Sequence, residues 1–256
     1  MLMQSLDQTE KQKIRLICMA AQMVLENGGE TYRVEETAMR MAAGLRMSDV
    51  NVVAFPTSIF VNVDGRSRIR RITHRGTNTS RLARINDVSR RVEHGELTPD
   101  EAEAALEAIA DDVGWHQLTL IAAYGVSAAS FSLLFGGSLG TVCIALLAGM
   151  LVQAMQPLFA HLAMGTLLFN FCGGFIGALL CRLASLFVSY GDVNAAIIGA
   201  IMPMLTGLLM TTAVRDTMYG DLISGIARAV EALLLAGCVA LGVFVGLETA
   251  MMLGGL

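Results

Sequence analysis

The sequence predicts a membrane α-helical protein: a soluble N-terminal α+β domain followed by about five transmembrane helices. Two observations predict it. The 256-residue chain is 54% hydrophobic and only 16% charged, against about 25% charged residues in an ordinary soluble domain. The charge is also divided along the chain. Residues 1–114 hold fifteen of the eighteen Lys and Arg and seventeen of the twenty-two Asp and Glu. Residues 115–256 retain only Arg182, Arg215, Arg228, Asp192, Asp216, Asp221, Glu231 and Glu248. Water suits the first part and lipid the second, so we place domains at 1–114 and 115–256.

The formal net charge is −4 with the two signs interspersed, which offers no surface for nucleic acid. The five cysteines are scattered without a Cys-x-x-Cys pair and read as small buried hydrophobes rather than disulfide or metal ligands. The opening MLMQSLDQTEKQK lacks the basic, apolar, small-residue order of a signal peptide. The chain carries no Gly-x-x-x-x-Gly-Lys-Ser/Thr, no Gly-x-Ser-x-Gly and no His-Glu-x-x-His. We therefore expect no enzyme, and assign no catalytic residue, metal or cofactor.

The first domain opens on an amphipathic helix, Lys11 to Asn27, with Ile14, Ile17, Cys18, Ala21, Val24 and Leu25 at helical spacing. Asn27-Gly28-Gly29 stops it. Thr31 to Leu45 is a second helix with Val34, Ala38, Met41, Ala42 and Leu45 on one face. Asn51 to Asp64 is rich in β-branched and aromatic residues, Asp64-Gly65 is a hairpin signal, and Ser67 to His74 is the returning strand. Pro56 marks an edge or a bulge. A third helix starts at Thr79, with Leu82, Ile85, Val88 and Val92 in one stripe. Thr98-Pro99-Asp100-Glu101 starts a fourth, running to about Ala110: Thr98 caps, Pro99 suits the first turn and acids favour a helix N-terminus.

Three places in this domain have two readings each. Gly28-Gly29-Glu30 is a helix stop with an acid at the next helix start, or a turn presenting a carboxylate. His74 to Asn78 is a solvated strand-to-helix loop, or an anion site. Arg66, Arg68, Arg70 and Arg71 alternate along an exposed strand, or contact lipid headgroups or an acidic solute.

Trp115 opens the membrane part at an interfacial position. Spans are expected at about 117–135, 139–155, 164–185, 194–214 and 224–247, each near the ~20 residues a bilayer needs. Phe135 to Ser138 is a tight turn, Gln156-Pro157 breaks the second span, Ser189 to Asp192 links the third to the fourth, and Arg215 to Asp221 links the fourth to the fifth. An odd number of spans puts the termini on opposite sides. A charged N-terminal domain kept in the cytoplasm leaves the C-terminus outside. Gly136/Gly140, Gly173/Gly177 and Gly242/Gly246 have the spacing that lets helices approach closely, within this chain or with another.

Polar groups in the spans are the candidate functional residues. Arg182 snorkels to an interface and His161 is interfacial. Asn170 lies in the third span. The fourth carries Thr206, Thr211 and Thr212, whose hydroxyls can also bond back to their own helix. Pro203 frees a carbonyl one turn earlier and bends that helix, which exposes backbone groups to a solute. In the fifth, Asp221, Gly225, Arg228 and Ala232 share one helical face, and Glu231 lies three residues from Arg228. Ionised groups near a bilayer core cost about 2.5–3.5 kcal/mol each. Either these charges anchor the helix at the interface, or they face a water-filled cavity where arginine meets a substrate carboxylate and an acid carries a proton.

The chain resembles the threonine/serine exporter family, in particular the bacterial subgroup whose two halves are separate proteins. The resemblance rests on Gly28-Gly29-Glu30, Phe55-Pro56-Thr57, Arg75-Gly76-Thr77-Asn78, and above all on Pro203, Arg215-Asp216, Gly220-Asp221, Ser224-Gly225 and Arg228 ahead of the last span. Met204 stands where many members follow this proline with glycine. The resemblance implies a cytoplasmic N-terminal region, about five spans, and export of small amino acids or, in some members, dicarboxylates such as succinate. It also implies a second, smaller membrane subunit. The expected function is therefore that of an inner-membrane subunit of a secondary exporter, with Pro203, Thr206, Arg215, Asp216, Asp221, Arg228 and Glu231 lining or gating the path and Glu30 and Asn170 as secondary residues. Expected partners are the second subunit, a small-molecule substrate, the bilayer and another copy of the chain. The alternative is a membrane-anchored enzyme or regulatory module acting through residues 28–78.

Overall fold

The computed structural model describes residues 2–63, 66–112, 114–162, 165–186 and 192–254. The expected hairpin at Asp64-Gly65 and most of the Ser189–Asp192 link lie outside them. The protein is mostly helical, with one small sheet near the N-terminus, and its residues form two compact units. The first unit is Met1–Val113 with Met210–Ala229, and the second is Gly114–Leu209 with Val230–Leu256. The first unit thus takes in a segment that hydropathy alone assigns to the last two spans.

In the first unit, α1 (Leu2–Glu26), α2 (Thr31–Gly44), α3 (Thr79–Glu93) and α4 (Pro99–Ala110) share one core with one face of a three-stranded sheet. The stripes read from the sequence are the buried faces: Ile17, Val24 and Leu25 of α1, Val34, Ala38 and Met41 of α2, and Ile85, Val88 and Val92 of α3. Fully burying one such side chain contributes about 1.5–3 kcal/mol. α4 starts on a complete capping box, Thr98 accepting from the Glu101 N–H while Glu101 accepts from the Thr98 N–H.

The sheet corrects one expectation. The β-rich run is two strands, β1 (Val50–Phe55) and β2 (Ser58–Val63), not one. They pair antiparallel with Phe55 opposite Ser58, so Pro56-Thr57 is a hairpin turn and Pro56 marks neither an edge nor a bulge. Proline's fixed φ suits the first central position of such a turn. β3 (Arg66–Arg71) pairs with β2, Ile59 opposite Arg70 and Phe60 opposite Ile69. Ile59, Val61 and Val63 point into the core, while Val53, Phe60 and Ile69 form an exposed column on the other face.

The second unit contains α5 (Gln117–Leu134), α6 (Leu139–His161), α7 (Thr166–Ala184) and α8 (Val193–Ile201), followed by a 3-10 turn at Met202–Met204. α9 (Gly207–Met218) and α10 (Leu222–Gly254) each run from one unit into the other. Four helices among the described residues are long and apolar enough to cross a membrane, and five if α8 and α9, bent by 50°, form one broken span. The bend lies where Pro203 was expected to produce one. Pro157 does not break its span: α6 continues through it to His161. An apolar surround favours the helix because unpaired backbone groups there are costly, and a single lost bond is tolerated. His161 sits in the last turn of α6 and Arg182 in the last turn of α7, where the guanidinium suits the helix dipole.

Close approach in this unit depends on glycine at a few places. A Cβ on Gly242 would lie 2.1 Å from the Phe171 carbonyl oxygen, and one on Gly246 2.5 Å from that of Phe175. The Gly-x-x-x-Gly pair of α10 is therefore used within this chain, against α7. At 33 residues, α10 is about 50 Å long, well beyond the ~30 Å hydrocarbon core. Its first two turns, which carry Arg228, need not lie in hydrocarbon.

Candidate functional site

Two groupings of polar residues stand out, one in each unit. The first is built on the turn after α1. Gly28 has φ +88, a conformation glycine adopts without strain. A Cβ on Gly29 would lie 2.5 Å from Val24 Cγ1 and 2.9 Å from the Val24 carbonyl oxygen. These constraints fold the chain back tightly, so that the Gly29 carbonyl and the first N–H of α2 emerge side by side. The loop before α3 braces the turn: the Gly76 N–H donates to Glu26 O at 2.8 Å and the Asn78 N–H to Asn27 O at 3.0 Å. Two of the motifs noted in the sequence are therefore one structural feature.

The end of α9 and the start of α10 carry the complementary groups. Gly220, at φ +95, ends α9, and the Asp221 N–H closes back on Asp216 O at 2.9 Å, as in a glycine helix stop. Arg228 and Asp216 have side chains 4% and 0% exposed, with Arg228 Nε 3.0 Å from Asp216 Oδ2. The two charged atoms face each other as an ion pair. Arg228 Nη2 donates to the Gly29 carbonyl at 2.8 Å and Nη1 to Thr212 Oγ1 at 3.5 Å. The Thr31 N–H donates to Asp216 Oδ1 at 3.1 Å, and Thr31 Oγ1 donates to Asp221 Oδ2 at 2.9 Å. Two carboxylates thus satisfy the N-terminus of α2, where a helix has unpaired N–H groups and a partial positive charge.

Glu30 extends the cluster. Its carboxylate pairs with Arg215 and, at 3.3 Å, with Arg33. Beside it Tyr32 and Tyr219 stack with ring centroids 4.1 Å apart. Glu35 on α2 accepts from the Ala54 N–H at 2.9 Å. Burial pushes its carboxyl above the ordinary carboxylate range; that hydrogen bond opposes the rise and the Asp221 charge adds to it. A cleft of about 560 Å³ between α2 and α3 is lined in part by Arg33, Arg40 and Arg90. Arg40 there is neutralised by Glu36 and, at 3.4 Å, by Glu93.

The second grouping lies at the break between α8 and α9. The 3-10 turn ends at Met204, Leu205 is extended, and α9 begins at Gly207. A cavity of about 340 Å³ opens there, lined by Pro203, Thr206, Asn170, Tyr124, Gln156 and Thr166 among apolar neighbours. Asn170 is buried and its amide nitrogen donates to Thr166 O at 2.9 Å.

The residues singled out in the sequence therefore divide. In the first unit Arg215 pairs with Glu30 while Asp216, Asp221 and Arg228 bond the adjoining Gly29 and Thr31; in the second, Pro203, Thr206 and Asn170 share a cavity. Glu231 is half-buried one turn beyond Arg228, in the part of α10 that belongs to the second unit. Sequence reasoning missed Thr31, the Gly29 carbonyl and the tyrosine pair in the first grouping, and Tyr124, Gln156 and Thr166 in the second. Thr31 could have been found as the first residue of a helix following a glycine turn; nothing in the pattern marks Tyr124.

These features define a multi-pass membrane protein with an α+β unit and a bent, interrupted pair of apolar helices. Within that class the chain belongs to the family described as "Putative threonine/serine exporter", which matches residues 15–250. It is 25% identical over 239 residues to the "Probable threonine/serine exporter" of Mycobacterium tuberculosis, covering 89% of this chain and 44% of the relative. It is 23% identical to the "Threonine/serine exporter" of Corynebacterium glutamicum, covering 86% and 47%. It is 24% identical to the "Probable succinate transporter subunit YjjP" of Klebsiella aerogenes, covering 98% and 97%. The chain thus spans just under half the length of the first two relatives and nearly all of the third. No solved structure matches it significantly.

Proposed function

We propose that this chain is the larger subunit of a secondary exporter in the bacterial inner membrane, moving small carboxylate-bearing metabolites: threonine and serine, or a dicarboxylate such as succinate. The observation that carries this reading is the 50° bend between α8 and α9, read as one broken span, with a polar-lined cavity at the interruption after Pro203. Broken helices at membrane depth occur where they line a solute path. Pro203, Thr206 and Asn170 line this path, and Arg215, Asp216, Asp221 and Arg228 with Glu30 form a gate. Glu231 carries the charged face of α10 onward.

Residues 1–114 form a soluble domain on the cytoplasmic side, and the C-terminus lies outside. A second, smaller membrane subunit of the same family supplies the remaining helices. The lengths covered in the relatives support this arrangement, since the chain spans 44% and 47% of two of them and 97% of one named a subunit. The test is efflux of preloaded labelled threonine and succinate from cells expressing the chain alone and with the small subunit. Efflux of one solute only with both chains is expected. Unchanged efflux of both solutes, with both proteins inserted, would refute the reading.

A further inference from the structure

The cleft between α2 and α3 lies wholly within the first unit and stands apart from the proposed path. Its walls follow from helical spacing. Arg33, Thr37 and Arg40 recur at i, i+4 and i+7 on α2, and Thr79, Leu82, Asn86 and Arg90 at i, i+3, i+7 and i+11 on α3, so each set lies along one side of its helix. These residues line the cleft together with Tyr32 and Tyr219, whose stacked rings stand in its wall. The space of about 560 Å³ is well inside the usual range of small-molecule sites.

The three arginines differ in what already holds them. Arg40 is committed. Its side chain is 12% exposed, Nη1 donates to Asn86 Oδ1 at 2.8 Å and to Ser89 Oγ at 3.2 Å, and Glu36 and Glu93 take the remaining nitrogens. Glu36, the one carboxylate in the lining, is thereby neutralised. Arg33 spends only its Nε, on Glu30 at 3.3 Å and on the Tyr32 hydroxyl at 3.2 Å; neither of its Nη groups has a partner among the described residues. The Arg90 guanidinium has no partner among them either. Two open guanidinium forks therefore share a cleft with an aromatic wall. Such forks match phosphate oxygens two at a time, and an aromatic face accepts the flat ring of any base. We propose that this cleft binds a nucleoside phosphate, with the phosphate on Arg33 and Arg90 and the base against the tyrosine pair. Thr37, 5% exposed, and the amide of Asn86 supply the hydrogen bonds that orient it. Glu30 holds Arg33 on one carboxylate oxygen and Arg215 on the other, so the occupied cleft and the proposed gate share Glu30.

The test is equilibrium binding of labelled AMP and GMP to the full chain in detergent, with adenosine, inorganic phosphate and phosphatidylglycerol as competitors. Wild type is compared with Arg90→Ala, Tyr219→Leu and Arg71→Ala. Arg90, Tyr219 and Arg71 are exposed, so all three variants should melt with the wild type. AMP and GMP should bind alike, because stacking tolerates any base. Arg90→Ala should weaken both by about tenfold or more, the loss expected for one charge-assisted hydrogen bond. Tyr219→Leu should weaken AMP by about tenfold and leave inorganic phosphate unchanged. Arg71→Ala, the same loss of charge on β3, should change neither. No binding of either nucleotide, or an Arg90→Ala loss no larger than that of Arg71→Ala, would overturn the proposal. Competition by adenosine, inorganic phosphate or phosphatidylglycerol as strong as by unlabelled AMP would also overturn it, since the base or the anion alone, or a lipid headgroup, would then be the ligand. Efflux measured on the same variants keeps the two readings apart: nucleotide binding in a chain that exports nothing leaves this site and removes the transport role.

Discussion

Replacing Arg228 by alanine tests the charged cluster most directly. Among the described residues the guanidinium is the one countercharge within ion-pair distance of Asp216, whose side chain is fully buried, and it also satisfies the Gly29 carbonyl. Removing one partner of a buried ion pair costs about 3–5 kcal/mol, because the other charge stays buried. A protein of this size shifts its melting temperature by about 2–4 °C per kcal/mol, so Arg228→Ala should melt about 6–20 °C lower. Loss of transport in that variant would therefore not by itself identify a path residue. The double variant Arg228→Ala/Asp216→Asn separates the effects: it removes the stranded charge and should melt above Arg228→Ala alone. The assay is thermal unfolding in detergent with efflux on the same membranes. A loss below about 1 kcal/mol in Arg228→Ala, or a double variant no more stable than it, would refute a mutually dependent buried pair.

Two further outcomes follow from local geometry. Gly242→Val should lower thermal stability by about 1–3 kcal/mol, since its Cβ meets the Phe171 backbone; Gly237→Val on the same helix, with nothing within 4 Å, should be near neutral, and equal melting of the two would refute the close α7–α10 packing. Glu35 has a raised pKa in the folded chain, so its contribution to stability is fully present below the ordinary carboxylate value and is lost as pH rises through the folded value. Relative to Glu35→Gln, the wild type should lose stability as pH climbs from about 4.5, and a pH-independent difference between the two melting curves would refute this.

Much of the fold was legible in the sequence because it rests on periodicity and caps. The stripes of α1 to α3 are buried faces, and Thr98 and Glu101 form their capping box. What was not legible depended on tertiary context. The β-rich run around Pro56 suits one long strand by composition, whereas two short strands need a turn there. Proline in an apolar run suggests a stop at Pro157, yet α6 runs through it. The sequence offered Glu231, three residues away, as Arg228's neighbour; the structure adds Asp216 and the Gly29 carbonyl, the latter 199 positions distant. Local spacing cannot show such a contact. The glycines of the turn after α1 were visible, but the carbonyl they expose became informative only with its donor in place.

The two groupings are joined by covalent structure. α9 begins one residue after Thr206 and carries Thr212, Arg215 and Asp216 further along the same helix. Within the second unit, α8 packs on α5 through Gly199, where a Cβ would lie 2.6 Å from the Ala128 carbonyl oxygen, so the helix ahead of Pro203 is held by close backbone contact. Under the proposed function, the gate and the cavity are linked along the chain by α9 itself, a covalent connection that local spacing in the sequence does display.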